Sequence, residues 1–112
     1  MSGLGDLPPR LRRGEVEDAV ACARIEAECA LQFADSPQPW VADRPPPPPA
    51  EHAEAASLRR LEIAEIHGVV AGFAILLPDP ASGTLHLAEL DVAPRFQRRG
   101  LARALVGRAM QR

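Results

Sequence analysis

Lysine and tyrosine are both missing from these 112 residues, and aromatic residues make up only 4% of them. All 13 basic side chains are arginine. With the abundant alanine and proline, this has the look of GC-rich coding, so each single arginine says less here than elsewhere. No apolar run approaches the roughly 20 residues of a membrane span, and the opening MSGLGDLPPRLRRGE lacks the apolar core of a secretory leader. A cytoplasmic protein that engages no membrane is expected. Cysteine is scarce too. Cys22 and Cys29 fall seven apart on one predicted helix, roughly 10 Å apart along its axis, which is too far for a disulfide between them. No metal-ligand spacing accompanies them. They read as reduced, buried thiols, and no metal is expected. Two phosphate-binding patterns are absent as well: the P-loop GxxxxGK[ST], and the dinucleotide turn GxGxxG with its following acid.

What is present is one small domain's worth of chain with 46% hydrophobic and 25% charged residues, ordinary for a globular protein. The net charge of −2 names no partner, but its distribution is uneven. Residues 1–91 hold all 15 acids and seven arginines; residues 92–112 hold six arginines and no acid.

Hydrophobic periodicity orders the elements. LRR at 11–13 is a short edge strand. A helix follows over 16–33, with Val16, Val20, Ala23, Ala27 and Leu31 at three- and four-residue steps and Cys22, Ile25, Cys29 and Phe33 widening its apolar face. Glu17 and Asp18 suit its first turn. Residues 34–57 read as a Pro-rich loop within the domain. The five prolines from Pro45 to Pro49 favour extended polyproline II, as a spacer or as a ligand for a Pro-binding domain, with Trp40 anchoring the loop and AEHAEAASL offering a short helix. LRRLEIAEIH and VVAGFAILLP form a hairpin about His67–Gly68, the second strand buried on both faces. TLHLAELDV, 84–92, is a further strand ended by Pro94, and a helix occupies 100–112.

The junction at RFQRRGLAR, residues 95–103, is the chemically informative stretch. A helix N-terminus presents unpaired N–H groups and the positive end of a dipole, which hold phosphate. Gly100 lets the backbone approach a ligand closely, and neighbouring arginines add charge-assisted hydrogen bonds. The rival reading is a nucleic-acid helix. It lacks an aromatic platform and places only one or two arginines outward per turn, so no nucleic-acid partner is expected.

Gln97, Gly100 and Ala102, preceded by Leu90, Val92, Pro94 and Phe96, resemble the signature of the GNAT superfamily of acyl-CoA-dependent N-acetyltransferases, Gln/Arg-x-x-Gly-x-Gly/Ala at a strand-to-helix junction. The element order over 11–112 is similar as well, with the Pro-rich segment standing where the family usually has a helix. The resemblance implies an α/β fold with a mixed, mostly antiparallel sheet flanked by helices, and transfer of an acetyl group from acetyl-CoA to a primary amine of a small molecule or protein. It implies that the backbone at Leu90, Asp91 and Val92 holds pantetheine, and that Gln97, Arg98, Arg99, Gly100, Leu101, Ala102 and Arg103 form the pyrophosphate loop. In the family, bases on this strand fall an even number of residues before the valine. That count selects His86, a side chain suited to proton pick-up near neutral pH, and turns Glu89 to the other face. Glu89 and Asp91 are expected to be solvated or paired, and His52 and His67 to lie in loops without a chemical role.

The resemblance also implies what the chain would lack: a fifth strand forming the other wall of the pantetheine slot, and a tyrosine to protonate the leaving thiolate. The expectation is a single, truncated N-acetyltransferase domain, or alternatively a non-catalytic remnant that binds CoA weakly or is completed by a partner. A homodimer is one candidate assembly, and the outer strand edge an aggregation hazard.

Overall fold

A computed structural model describes residues 8–43, 45 and 48–111. Its centre is a four-stranded antiparallel sheet in the order β1 (Arg10–Arg13), β2 (Leu61–Ile66), β3 (Val69–Asp79) and β4 (Thr84–Val92). β2 and β3 close on His67 and Gly68, both left-handed at φ 53° and 74°, the conformation that matches the twist of a two-residue hairpin. β3 and β4 are joined by a four-residue loop ending at left-handed Gly83, where the Ala81 N–H donates to Asp79 Oδ1 at 3.0 Å.

Helices α1 (Ala19–Leu31) and α2 (Pro49–Ser57) cover one face, and α3 (Leu101–Ala109) covers the other. Cys22, Ile25, Ala55, Leu61, Ile63 and Phe73 pack under α1 and α2, while Ala64, Ala74, Val92, Leu101 and Leu105 pack under α3. Phe96, just past β4, touches both clusters. β3 is buried on both faces only from Ala71 to Ala74; its far end is exposed.

Two expectations change. The stripe facing the sheet from α1 is Ala19, Cys22, Ala23 and Ile25, while Val16, Val20 and Leu31 are more than half exposed. This helix carries small apolar residues nearly all round, so periodicity alone does not set its phase. The phase is set by Asp18. Its carboxylate accepts from Arg12 Nη1 and Nη2 at 2.8 Å each and from the Glu15 N–H at 2.7 Å, and Arg12 Nε donates to Glu65 on β2 at 2.6 Å. Asp18 is thereby held below the ordinary carboxylate range, chiefly by the Arg12 hydrogen bonds.

The Pro-rich stretch is not loop throughout. Short 3-10 turns occupy Gln32–Asp35 and Pro39–Asp43, and α2 begins on the last proline. Pro48 is the extended N-cap and Pro49 the first helical residue, where a missing N–H costs nothing; the alanine-rich run beyond it then continues the helix. The short helix that AEHAEAASL offered is therefore present, beginning one residue earlier, at Pro49. The polyproline II reading falls partly on Pro46 and Pro47, which lie outside the described residues.

Candidate active site

β4 ends at Val92, a 3-10 turn spans Pro94–Phe96, and α3 starts after Gly100. In this junction Arg98 and Gly100 are both left-handed, at φ 67° and 78°. Left-handed residues curl a backbone so that successive N–H groups converge on an anion, and no side chain caps the first turn of α3, which leaves its N–H groups for a ligand. A Cβ on Gly100 would meet nothing within 4 Å, so the space over this glycine is open.

That space belongs to a cavity of about 580 Å³. Leu90, Asp91, Val92, Gln97, Arg98, Gly100, Leu101, Ala102 and Arg103 line it, so one residue of the expected cofactor set, Arg99, stands apart. The Arg99 guanidinium lies 5.5 Å from the centre of the Phe96 ring, and Arg95 stacks on the same ring at 4.9 Å. Gln97 is committed within the protein. Its amide donates to the Val92 carbonyl at 2.9 Å and to Gln32 Oε1 at 3.0 Å, tying β4 and the junction to α1. The Cys29 thiol donates to the same carbonyl at 3.2 Å. Val92 thus has its carbonyl already engaged, by two donors from the protein itself. Gly72 on β3 permits the close packing of this strand end, since a Cβ there would lie 3.0 Å from the Asp91 carbonyl oxygen.

A second cavity of about 480 Å³ adjoins the first, with Cys29, Phe33 and Asp91 lining both. Its walls are Leu31, Phe33 and Val41, with Pro45 at the start of the proline run, and its polar groups are Glu26, Glu89 and Asp91. Oxygens of these three carboxylates lie within 4.8 Å of one another. The hydrogen bond with Asp91, then desolvation, then the Asp91 charge push Glu89 up to about 8. A proton on Glu89 shared with Asp91 fits that shift and offers a donor to Asp91, whose buried Oδ2 otherwise has no partner. Glu26 is also raised, mainly by desolvation, against a hydrogen bond from His52 that lowers it. Burial pushes the Cys22 and Cys29 thiols up to about 12, so neither is a nucleophile at neutral pH. Three carboxylates at this spacing suit an ammonium group as well as a divalent cation, and the other walls here are largely apolar.

The strand count that favoured His86 does not survive the register. Ile75 pairs with Glu89 and Leu76 with Leu87, so β4 carries Ala88 as an inserted residue between them. A bulge reverses the alternation beyond it. Glu89 and Asp91, opposite Ile75 and Phe73, share the α1 face, and His86 comes to that same face at the open end of the strand. It is 66% exposed, lies 3.5 Å from Asp79 Oδ2, and lines neither cavity. His52, expected in a loop, is on α2 with its side chain 1% exposed and its Nε2 3.1 Å from Glu26 Oε1. Sequence reasoning missed both Glu26 and His52. A signal existed for Glu26, which falls four after Cys22 and three before Cys29, an acid on the stripe that faces inward.

Among the described residues, no helix is long and apolar enough to cross a membrane. No curated protein sequence matches the chain. Its fold is similar to that of diaminobutyrate acetyltransferase from Paenibacillus lautus, solved with its substrate L-2,4-diaminobutyric acid and coenzyme A (TM-score 0.74, 20% identity, 93% of this chain and 57% of that one). It is also similar to the protein yncA from Salmonella typhimurium, solved with its cofactor acetyl-CoA (0.71, 21%, 94% and 62%), and to an N-acetyltransferase from Thermoplasma acidophilum in complex with coenzyme A (0.71, 14%, 94% and 71%). The chain therefore spans less than two thirds of the length of the first two. Residues 21–112, from α1 through the junction and α3, match the acetyltransferase (GNAT) family model, and the chain belongs to that family.

Proposed function

We propose that this protein transfers the acetyl group of acetyl-CoA to a cationic primary amine. The observation that carries the reading is the continuity of two cavities through Cys29, Phe33 and Asp91: open space over Gly100 at one end, a three-carboxylate pocket at the other. The co-substrate supplies the acetyl group as a thioester; a free amine attacks its carbonyl carbon, the C–S bond breaks, and coenzyme A leaves as a thiolate that takes up the proton lost from the nitrogen. The backbone from Arg98 to Arg103 holds the pyrophosphate through the first-turn N–H groups of α3, with Arg98 and Arg103 adding charge, and Leu90 and Asp91 hold the pantetheine arm.

The protein's remaining task is to bind an ammonium ion and remove its proton. Glu26, Glu89 and Asp91 attract a cation, and Phe33, Leu31 and Val41 take its carbon chain. Glu89 is the base this reading favours over His86: beside a bound ammonium ion the Glu89–Asp91 pair gives up its shared proton to water, and the ionised Glu89, its proton affinity raised to about 8, then takes the proton of the amine. Release of coenzyme A from acetyl-CoA, followed over a panel of aliphatic amines that includes L-2,4-diaminobutyric acid, tests the proposal. Glu89→Gln should slow transfer by about 10²–10⁴-fold with acetyl-CoA affinity kept, and His86→Ala should change little. The reverse pattern would return the base role to His86. Acetyl-CoA binding with no transfer to any amine would favour a non-catalytic binding chain. The free thiols Cys22 and Cys29 suit the reducing cytoplasm as its place of work.

A further inference from the structure

Among the described residues, three polar or charged residues are buried: Asp18, His52 and Glu62. Arginine answers two of them, Arg12 for Asp18, and Arg13 and Arg108 for Glu62. His52 is held differently. Its ring lies edge-on to Phe73 at 5.3 Å, its Nε2 faces Glu26, and its Nδ1 is buried without a partner. A buried nitrogen with no acceptor beside it costs least as a bare lone pair, which puts the hydrogen on Nε2, donated to Glu26 Oε1. Glu26 is the α1 member of the carboxylate trio. A buried imidazole from α2 thus touches the pocket floor through one carboxylate.

We propose that His52 is a positioning residue of the acceptor pocket, its buried Nε2–H holding the Glu26 carboxylate ionised and aimed beside Glu89 and Asp91 so that the floor stays anionic for a cationic amine. This rests on the reading of that pocket as the acceptor site. Three carboxylates this close cannot all stay ionised cheaply. One proton goes to the Glu89–Asp91 pair, and desolvation would draw a second onto Glu26, leaving one negative charge where two are needed. The His52 hydrogen bond opposes that second uptake. The groups facing Glu26 are Cys22 and Cys29 on its own helix, both neutral thiols; Glu89 and Asp91 from β4; and Glu51 and His52 from α2. The β3 side chains under the helices, Phe73 and Ile75, carry no charge. Among the groups around Glu26, His52 is therefore the donor that lowers its proton affinity.

The experiment is a pH titration of glutamate side chains by NMR, using protein labelled with ¹³C at the glutamate carboxyl carbon, in the wild type, His52→Leu and His52→Gln. His52→Leu should raise the Glu26 midpoint by about one pH unit and raise KM for L-2,4-diaminobutyric acid about tenfold, with KM for acetyl-CoA unchanged. His52→Gln, whose amide nitrogen reaches the Nε2 position, should restore both. An unmoved Glu26 midpoint in folded His52→Leu overturns the proposal, as does failure of the glutamine to restore it. Should the leucine variant not fold, ring ¹⁵N shifts of wild-type His52 decide: a hydrogen on Nδ1 refutes the arrangement, and one on Nε2 with rescue by glutamine supports it. Wild-type transfer by Glu89→Gln would instead remove the acceptor-site reading and leave the Glu26 titration standing by itself.

Discussion

Replacing Gly100 by alanine separates a backbone cost from a ligand cost, because the two fall on different measurements. Gly100 has φ 78°, and a Cβ built on it meets nothing within 4 Å. In the free protein the methyl group therefore clashes with nothing, and the penalty is that of an L residue in the left-handed region, about 1–2 kcal/mol. For a chain of this size that corresponds to roughly 5–15 °C in melting temperature. Binding suffers separately. Either the methyl occupies the opening over the first turn of α3, or the backbone relaxes and turns its N–H groups away. Loss of one charge-assisted hydrogen bond to a phosphate oxygen is worth about 1.5–3 kcal/mol, or roughly 10–150-fold in Kd. Calorimetric titration with coenzyme A should show that loss. Titration with S-acetylpantetheine, which ends before the pyrophosphate, should show less than about a twofold change, and Gly100→Glu should abolish coenzyme A binding altogether by adding a carboxylate at the same point. Unchanged coenzyme A affinity in both variants, or an equal loss for the two ligands, would refute a pyrophosphate seat at Gly100.

Three further outcomes follow from the packing and the titrating groups. Gly14→Ala should destabilise by about 1–3 kcal/mol in denaturant titration, since its Cβ would lie 2.4 Å from Leu61 Cγ, a side chain with no exposure. Asp18→Asn should cost about 1–3 kcal/mol at pH 7. Asp18 is held below its ordinary value of 3.8, so its contribution is present above that value and lost as pH falls through the folded one; melts of wild type and variant should converge in acid. Glu89 has the opposite sign. Its folded value of about 8 exceeds the ordinary 4.5, so the stability it adds is complete below 4.5 and is lost as pH rises through 8. The wild type should lose melting temperature between pH 6 and pH 9 relative to Glu89→Gln, and parallel melts across that range would mean that Glu89 is ionised throughout.

The parts of the fold set by local chemistry were legible in the chain. The strand over 84–92 matches the observed element end for end, and the hairpin closes where two residues tolerant of positive φ stand together, His67 and Gly68. The junction was legible for the same reason: a glycine at the start of a helix, after a proline-terminated strand, is a local pattern with a local cause. What escaped depends on distant partners. The phase of α1 rests on Arg12, Asp18 and Glu65, contributed by three separate elements. The burial of His52 rests on α2 starting at Pro49 and seating against Phe73 and Glu26. A proline run signals where a helix is unable to continue, and says little about whether its last member will begin one.

Ala88 shows how one residue redirects the chemistry inferred from a strand. Counting back from Val92 in steps of two is sound only where every residue of β4 has its own partner on β3. Between Glu89 and Leu87 that condition fails, and no turn residue, glycine or proline marks the place. Without the insertion in view, His86 falls with Leu90 and Val92 and the two acids fall opposite. With it, His86, Glu89 and Asp91 share the face toward α1, and position along the strand separates them. His86 stands at the solvent end against Asp79, while Glu89 and Asp91 stand beside Cys29 and Phe33, where the cavity under α1 meets the one over Gly100. Bulges recur beside active sites because they re-aim side chains without altering the rest of a sheet. The same geometry explains why the exposed histidine, the better base by unperturbed proton affinity, is the weaker candidate. A group 66% exposed at the strand's end has water to exchange protons with and lines neither of these cavities, whereas the carboxylate pair combines partial burial, a mutual hydrogen bond and a wall in common with the cavity over Gly100.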